Sequence, residues 1–130
     1  MSEEPEKKME DAIREDGRYP LEAYAFLHEG LSRAVREVYG EESADAPHRH
    51  VTGAELCHGL RRLAIEKWGM LARTVLGKWN IHATIDFGNM VYLMIAHKYM
   101  KKTDEDSVED FRDVYDFSSF DRVDNIEMKE

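Results

Sequence analysis

The sequence predicts an all-α domain of four to five helices packed around a central apolar helix over 84–100, and three observations predict it. Helix start and stop residues recur along the chain, at Gly17, Pro20, Gly40, the pair Thr52 and Glu55, Gly69 and Asn80. Between them, apolar residues return at steps of three and four, the period of one helix face. The segment 87–96 is apolar on almost every side, as befits a helix with neighbours on several faces.

The first helix is expected over 3–16. It is polar, with Met9, Ala12 and Ile13 as its only apolar side and Gly17 placed to end it. Pro20 suits the first turn of the next helix, where its missing N–H costs nothing. Leu21, Tyr24, His28, Leu31, Val35 and Val38 then define a stripe that Gly40 closes. An exposed loop over 41–49 follows. The third helix has the best start signal in the chain. Thr52 and Glu55 fit a capping box, and Val51 and Leu56 fit the flanking hydrophobic staple. Leu56, Leu60, Leu63, Ala64 and Trp68 make its inner face, and Gly69 stops it.

A short helix over 71–79 is expected next, with Leu71, Val75, Leu76 and Trp79 inward and Asn80 closing it. Thr84 is the expected cap of the apolar helix, with Asp86 in its first turn. Ser107 and Asp110 can start one more short helix carrying Phe111 and Tyr115. The order of 71–79, turn, 84–100 has a helix-turn-helix-like rhythm, and a short β element near 112–120 would complete a wing. Three segments result: a polar 1–18, a single helical domain over 19–120, and a disordered acidic tail over 121–130.

Net charge is −9, and it is unevenly spread. Residues 1–18 carry −3, residues 19–103 carry +2, and residues 104–130 carry −8. The body is near neutral and the C-terminal segment strongly acidic. The single Cys57 has no internal disulfide partner, there is no apolar signal segment, and the longest apolar run, Met90 to Ala96, is seven residues. A membrane span needs about 18 or more, so a cytoplasmic protein without a membrane partner is the expectation.

Arg18–Tyr19 to Tyr24, His50–Val51–Thr52–Gly53–Ala54–Glu55–Leu56, Trp79–Asn80–Ile81, Asp86–Phe87–Gly88, and Asp110–Phe111 to Tyr115–Asp116–Phe117 carry a resemblance. Together they resemble an uncharacterised family of short bacterial proteins of planctomycetes and related phyla, over about residues 19–120. The resemblance implies a bacterial cytoplasmic origin. It implies no activity, ligand or catalytic residue.

Four kinds of chemistry can be weighed on the residues. His48, His50, Cys57 and His58 are potential metal ligands, but Cys57 and His58 are adjacent on a helix and point about 100° apart, which suits one ion poorly. Cys57 as a nucleophile lacks an oxyanion loop, and a buried structural thiol is the commoner state. Asp86 beside His82 could form an acid/base pair, though a first-turn Asp more often serves the helix dipole. His28 and His97 read as hydrogen-bonded core residues. No cofactor fingerprint is present. Nucleic acid is disfavoured by the −9 charge and by an apolar recognition helix.

The function expected is a non-enzymatic interaction or regulatory domain that binds a protein partner. The alternatives are a nucleic-acid-associated regulator of helix-turn-helix type and a small enzyme with a His/Asp site. The residues expected to contact a partner are His48, Arg49, Arg61 and Arg62, as a basic groove, and Phe111, Tyr115, Phe117 and Phe120, which alternate with acids. For Phe111, Tyr115 and Phe117 a place in the core is the slightly stronger expectation.

Overall fold

The computed structural model describes residues 5–40 and 50–122, and every regular element among them is helical. In order they are α1 (Pro5–Asp16), α2 (Leu21–Tyr39), α3 (Gly53–Trp68), α4 (Ala72–Lys78) and α5 (Thr84–Ala96). Short 3-10 turns lie at Gly69–Leu71, Val108–Phe111 and Phe117–Arg122. The expected loop over 41–49 and the tail beyond 122 lie outside the described residues.

Helix α3 opens as its sequence dictates. The Thr52 hydroxyl accepts from the Glu55 amide at 3.1 Å, and the Glu55 carboxylate accepts from the Thr52 amide at 2.8 Å. Val51 and Leu56 flank the cap and are both buried. Helix α1 packs Ala12 and Ile13 inward, and Gly17 (φ 76°) ends it with its amide on the Ile13 carbonyl.

The stripe expected on α2 is turned on the helix surface. Its buried residues are Ala23, Tyr24, Phe26, Leu27, Gly30, Ala34 and Val35, whereas His28 and Val38 are exposed. Small residues account for the difference. A Cβ placed on Gly30 would lie 2.1 Å from Leu60 Cδ2, and one on Gly59 would lie 3.0 Å from the Ala34 Cβ. Helices α2 and α3 therefore approach closely along glycine and alanine, positions that a count of large apolar residues passes over.

Two helices end in Schellman motifs built on non-glycine residues. After α4, Asn80 (φ 68°) donates to Gly77 and Ile81 donates to Leu76 at 2.9 Å. After α5, Lys98 (φ 69°) donates to Ile95 and Tyr99 donates to Met94 at 2.8 Å. The apolar helix therefore stops at Ala96, short of the expected residue 100. Leu71, expected inward, is 65% exposed, because the chain enters α4 through the 3-10 turn Gly69–Leu71.

The middle of the core is shared. Helix α3 meets α2, α4, α5 and the turns at Gly69–Leu71 and Val108–Phe111. Helix α5 buries Phe87, Met90, Val91 and Met94 but leaves Tyr92, Leu93 and Ile95 only half-covered. Helix α4 packs chiefly on α3 and on the turn Phe117–Arg122. With seven residues and that packing, it does not stand against α5 as the first helix of a helix-turn-helix pair.

The acidic segment folds back over the helices. Ser107 caps its first turn, accepting from Glu109, while Asp110 accepts from the Ser107 amide. Phe111 then inserts where α3 and α5 both carry glycine. A Cβ on Gly53 would stand 2.9 Å from its ring and one on Gly88 2.8 Å from its Cβ. Beyond it, Asp113 adopts a left-handed φ of 53°, and Asp116 accepts from the Ser118 amide at 2.8 Å. These turns replace the β element expected near 112–120, and no strand occurs among the described residues.

Candidate functional site

The residues expected to contact a partner have several different fates. His48 and Arg49 lie outside the described residues. Phe111, Phe117 and Phe120 are 4%, 3% and 0% exposed, so they are core residues, not side chains projecting toward a partner. The rings of Phe117 and Phe120 form a cluster with Tyr115 and Phe87, with centroids of neighbouring rings 5.2–6.1 Å apart. Tyr115 is half-buried and donates its hydroxyl to the Cys57 carbonyl at 2.9 Å. Burial holds that phenol well above its ordinary range.

The basic pair does not form a groove. The Arg61 guanidinium lies 5.6 Å from the Tyr115 ring centre and 5.4 Å from that of Phe120, and one of its terminal nitrogens is buried without a hydrogen-bond partner. Arg61 is thereby a roof over the aromatic segment. Arg62 donates to Glu37 at 3.0 Å and to the His58 carbonyl at 3.2 Å. Glu37 also accepts from Arg33, which in turn pairs with Glu66. These four alternating charges link α2 to α3 and leave Arg62 committed to that seam. Asp121, placed by its composition in the disordered tail, instead sits in the last 3-10 turn and pairs with Arg73 at 2.8 Å.

The other candidates are likewise occupied. The Asp86 carboxylate accepts from the His82 amide at 2.8 Å, the Ala83 amide at 3.1 Å and the Tyr19 hydroxyl at 2.6 Å. It is a cap for α5, and Ala83, not Thr84, holds the cap position. Burial first, and the Asp86 bond second, push Tyr19 up to about 12. The His82 side chain is exposed, as are His28 and His97, which were expected in the core. Cys57 is 0% exposed and burial pushes its thiol up to about 12, the reverse of an activated nucleophile. The His58 ring lies tilted 5.8 Å from that of Tyr115 and His50 faces Asp106, and no group of three potential metal ligands converges among the described residues; His48 lies outside them.

Thr84 has another task. It is wholly buried, donates to the Phe111 carbonyl at 2.6 Å and accepts from the Val114 amide at 3.1 Å. One side chain thus fastens the C-terminal segment to the start of α5.

A groove that the sequence reading did not anticipate runs between the start of α3, the second half of α5 and the chain over 99–110. The groove, of about 640 Å3, has an apolar lining of Leu31, Leu56, Val91, Tyr92, Ile95, Tyr99, Met100 and Phe111, and is also lined by His28, Lys101 and Lys102. An adjoining cavity of about 600 Å3 is lined by Ala54 and the carboxylates Asp104, Glu105, Asp106 and Asp110. His50, Thr52, Thr103, Asp106 and Asp110 line both, so the two spaces run into each other. Across the junction the His50 Nε2 stands 3.2 Å from the Asp106 carboxylate, which also accepts from the Thr103 amide at 2.7 Å. Burial works to raise Asp106, but the Thr103 amide and His50 outweigh it and hold the group below the usual carboxylate range. The signal that could have located the groove is the all-round apolarity of 87–96. In a chain of 130 residues such a helix has more apolar surface than its neighbours cover, and the remainder faces outward.

No protein-family model, curated protein or solved structure matches the chain. The reading of function therefore rests on the geometry. No helix among the described residues is long and apolar enough to cross a membrane.

Proposed function

We propose that the chain is a non-enzymatic interaction domain that holds a protein partner in the groove between α3, α5 and residues 99–110. The observation that carries this reading is the continuity of an uncovered apolar floor, with Tyr92, Ile95, Tyr99 and Met100 half-buried, with a polar end. Large apolar side chains anchor a bound segment by burial, and the polar end orients it. The basic surface expected around Arg61 and Arg62 is not part of this reading, because both guanidinium groups are engaged within the fold. The resemblance to short bacterial proteins contributes no activity to it.

Selection from a library of displayed random peptides of 12 residues tests the reading. Sequences enriched on the full chain should be lost on Ile95→Glu and on Tyr92→Asp, provided both variants keep the wild-type circular dichroism. If the wild-type chain enriches nothing beyond those variants, the groove is not a protein-binding site.

A further inference from the structure

We infer that the groove selects a segment that joins apolar anchors to a cationic end, with the arginine or lysine seated against Asp104, Glu105, Asp106 and Asp110. The inference rests on the binding reading above and adds the chemistry of the partner. Charge complementarity argues it. The polar cavity is lined by four carboxylates and, among the described residues, by His50 but no lysine or arginine, whereas Lys101 and Lys102 line the apolar groove that it joins. The four carboxylates belong to the acidic segment 104–130, which carries −8, and the turn over 104–110 gathers them at one end of the groove.

The four carboxylates are unequally engaged by the fold. Asp106 is committed to the Thr103 amide and to His50, and Asp110 gives one oxygen to the Ser107 amide. Asp104 and Glu105 are exposed and make no hydrogen bond or ion pair among the described residues. Two carboxylates therefore shape the end of the groove and two are open to an incoming guanidinium, which prefers planar, paired oxygens. An acidic segment, or a nucleic-acid phosphate, meets four like charges in the same place and is repelled.

The occupant is also bounded in shape. The apolar space and the acidic space join end to end, so a chain segment fills both while a compact molecule fills one. A peptide with two or three apolar side chains followed by one or two arginines matches that order.

Fluorescence anisotropy with three labelled peptides of 12 residues provides the test. One carries apolar residues followed by two arginines, the second replaces the arginines with glutamates, and the third replaces them with glutamines. At about 50 mM salt the arginine peptide should bind the full chain at least tenfold more tightly than the glutamate peptide, and the gap should narrow at about 500 mM. The double variant Asp104→Asn, Glu105→Gln should weaken the arginine peptide roughly three- to tenfold and leave the glutamine peptide unchanged. If arginine and glutamate peptides bind alike, or the double variant makes no difference, the acidic end selects nothing, and the inference falls while the groove remains a binding site. If none of the three binds, the binding reading falls with it. If affinity drops as the chain concentration rises, the groove is filled by a second copy of this chain, and the inference is overturned in favour of self-association.

Discussion

The hydroxyl of Thr84 donates to the carbonyl of Phe111 at 2.6 Å, across 27 positions of sequence. The same oxygen accepts from the Val114 amide at 3.1 Å. Both backbone groups depend on one wholly buried side chain. Thr84→Val keeps the shape but leaves the two groups without their partner, which should cost about 2–3 kcal/mol. Thr84→Ser should recover most of it. Urea titration reads both; a Val variant within a few tenths of a kcal/mol of wild type would mean that the segment is held by its aromatics alone.

Gly30 and Leu60 share one space. The added methyl of Gly30→Ala would sit 2.1 Å from Leu60 Cδ2 and 2.8 Å from its Cγ, and Leu60 has no exposed surface into which to retreat. The substitution should destabilise the chain by about 1–3 kcal/mol. In the Leu60→Ala background the extra methyl should be tolerated, so the two changes should be strongly non-additive in a double-mutant cycle. Additive effects would show that α2 and α3 adjust by moving apart.

Lys98 holds a left-handed conformation, φ 69°, at an exposed site that closes α5. Lys98→Gly relieves the Cβ strain without removing a contact, and should raise stability by about 1 kcal/mol, visible as a higher Tm. An unchanged or lower Tm would indicate that the lysine side chain contributes there.

Asp106 makes the mouth of the groove sensitive to acid. Its folded value lies below the ordinary 3.8, so the folded state takes up its proton less readily than the unfolded one. The stabilisation is fully present above that ordinary value and is lost as pH falls through the lowered folded one. Asp106→Asn should therefore be less stable than wild type near neutrality, and the difference should shrink once the pH drops below about 4. Thermal melts between pH 7 and pH 2.5 check this. A difference that stays constant across the range would assign the loss to packing and not to charge.

How much of this was legible in the sequence depended on the kind of signal. Capping chemistry is local, so the box at Thr52 and Glu55 and the closures at Gly17 and Asn80 could be read directly. The closure at Lys98 could not, because no glycine or asparagine marks it. The face of α2 was misplaced because close approach is made by Gly30 and Ala34, which carry no hydrophobic weight. Arg61 looked like a free cation, and only the return of Tyr115 and Phe120 over it reveals otherwise. The groove depends on the surface that neighbours leave uncovered on α5, which is a property of packing and not of any one segment.

Phe111, Phe117 and Phe120 have a consequence for the order in which the molecule can be made. A ribosome releases them after all five helices have emerged, yet the cluster they form is part of the same interior as Leu60 and Phe87. A nascent chain stopped before Phe111 has the glycine-lined slot between α3 and α5 but nothing to fill it. Closure of the core thus waits until these three residues have been made, and a product cut short before them meets the cell's proteases with its interior open.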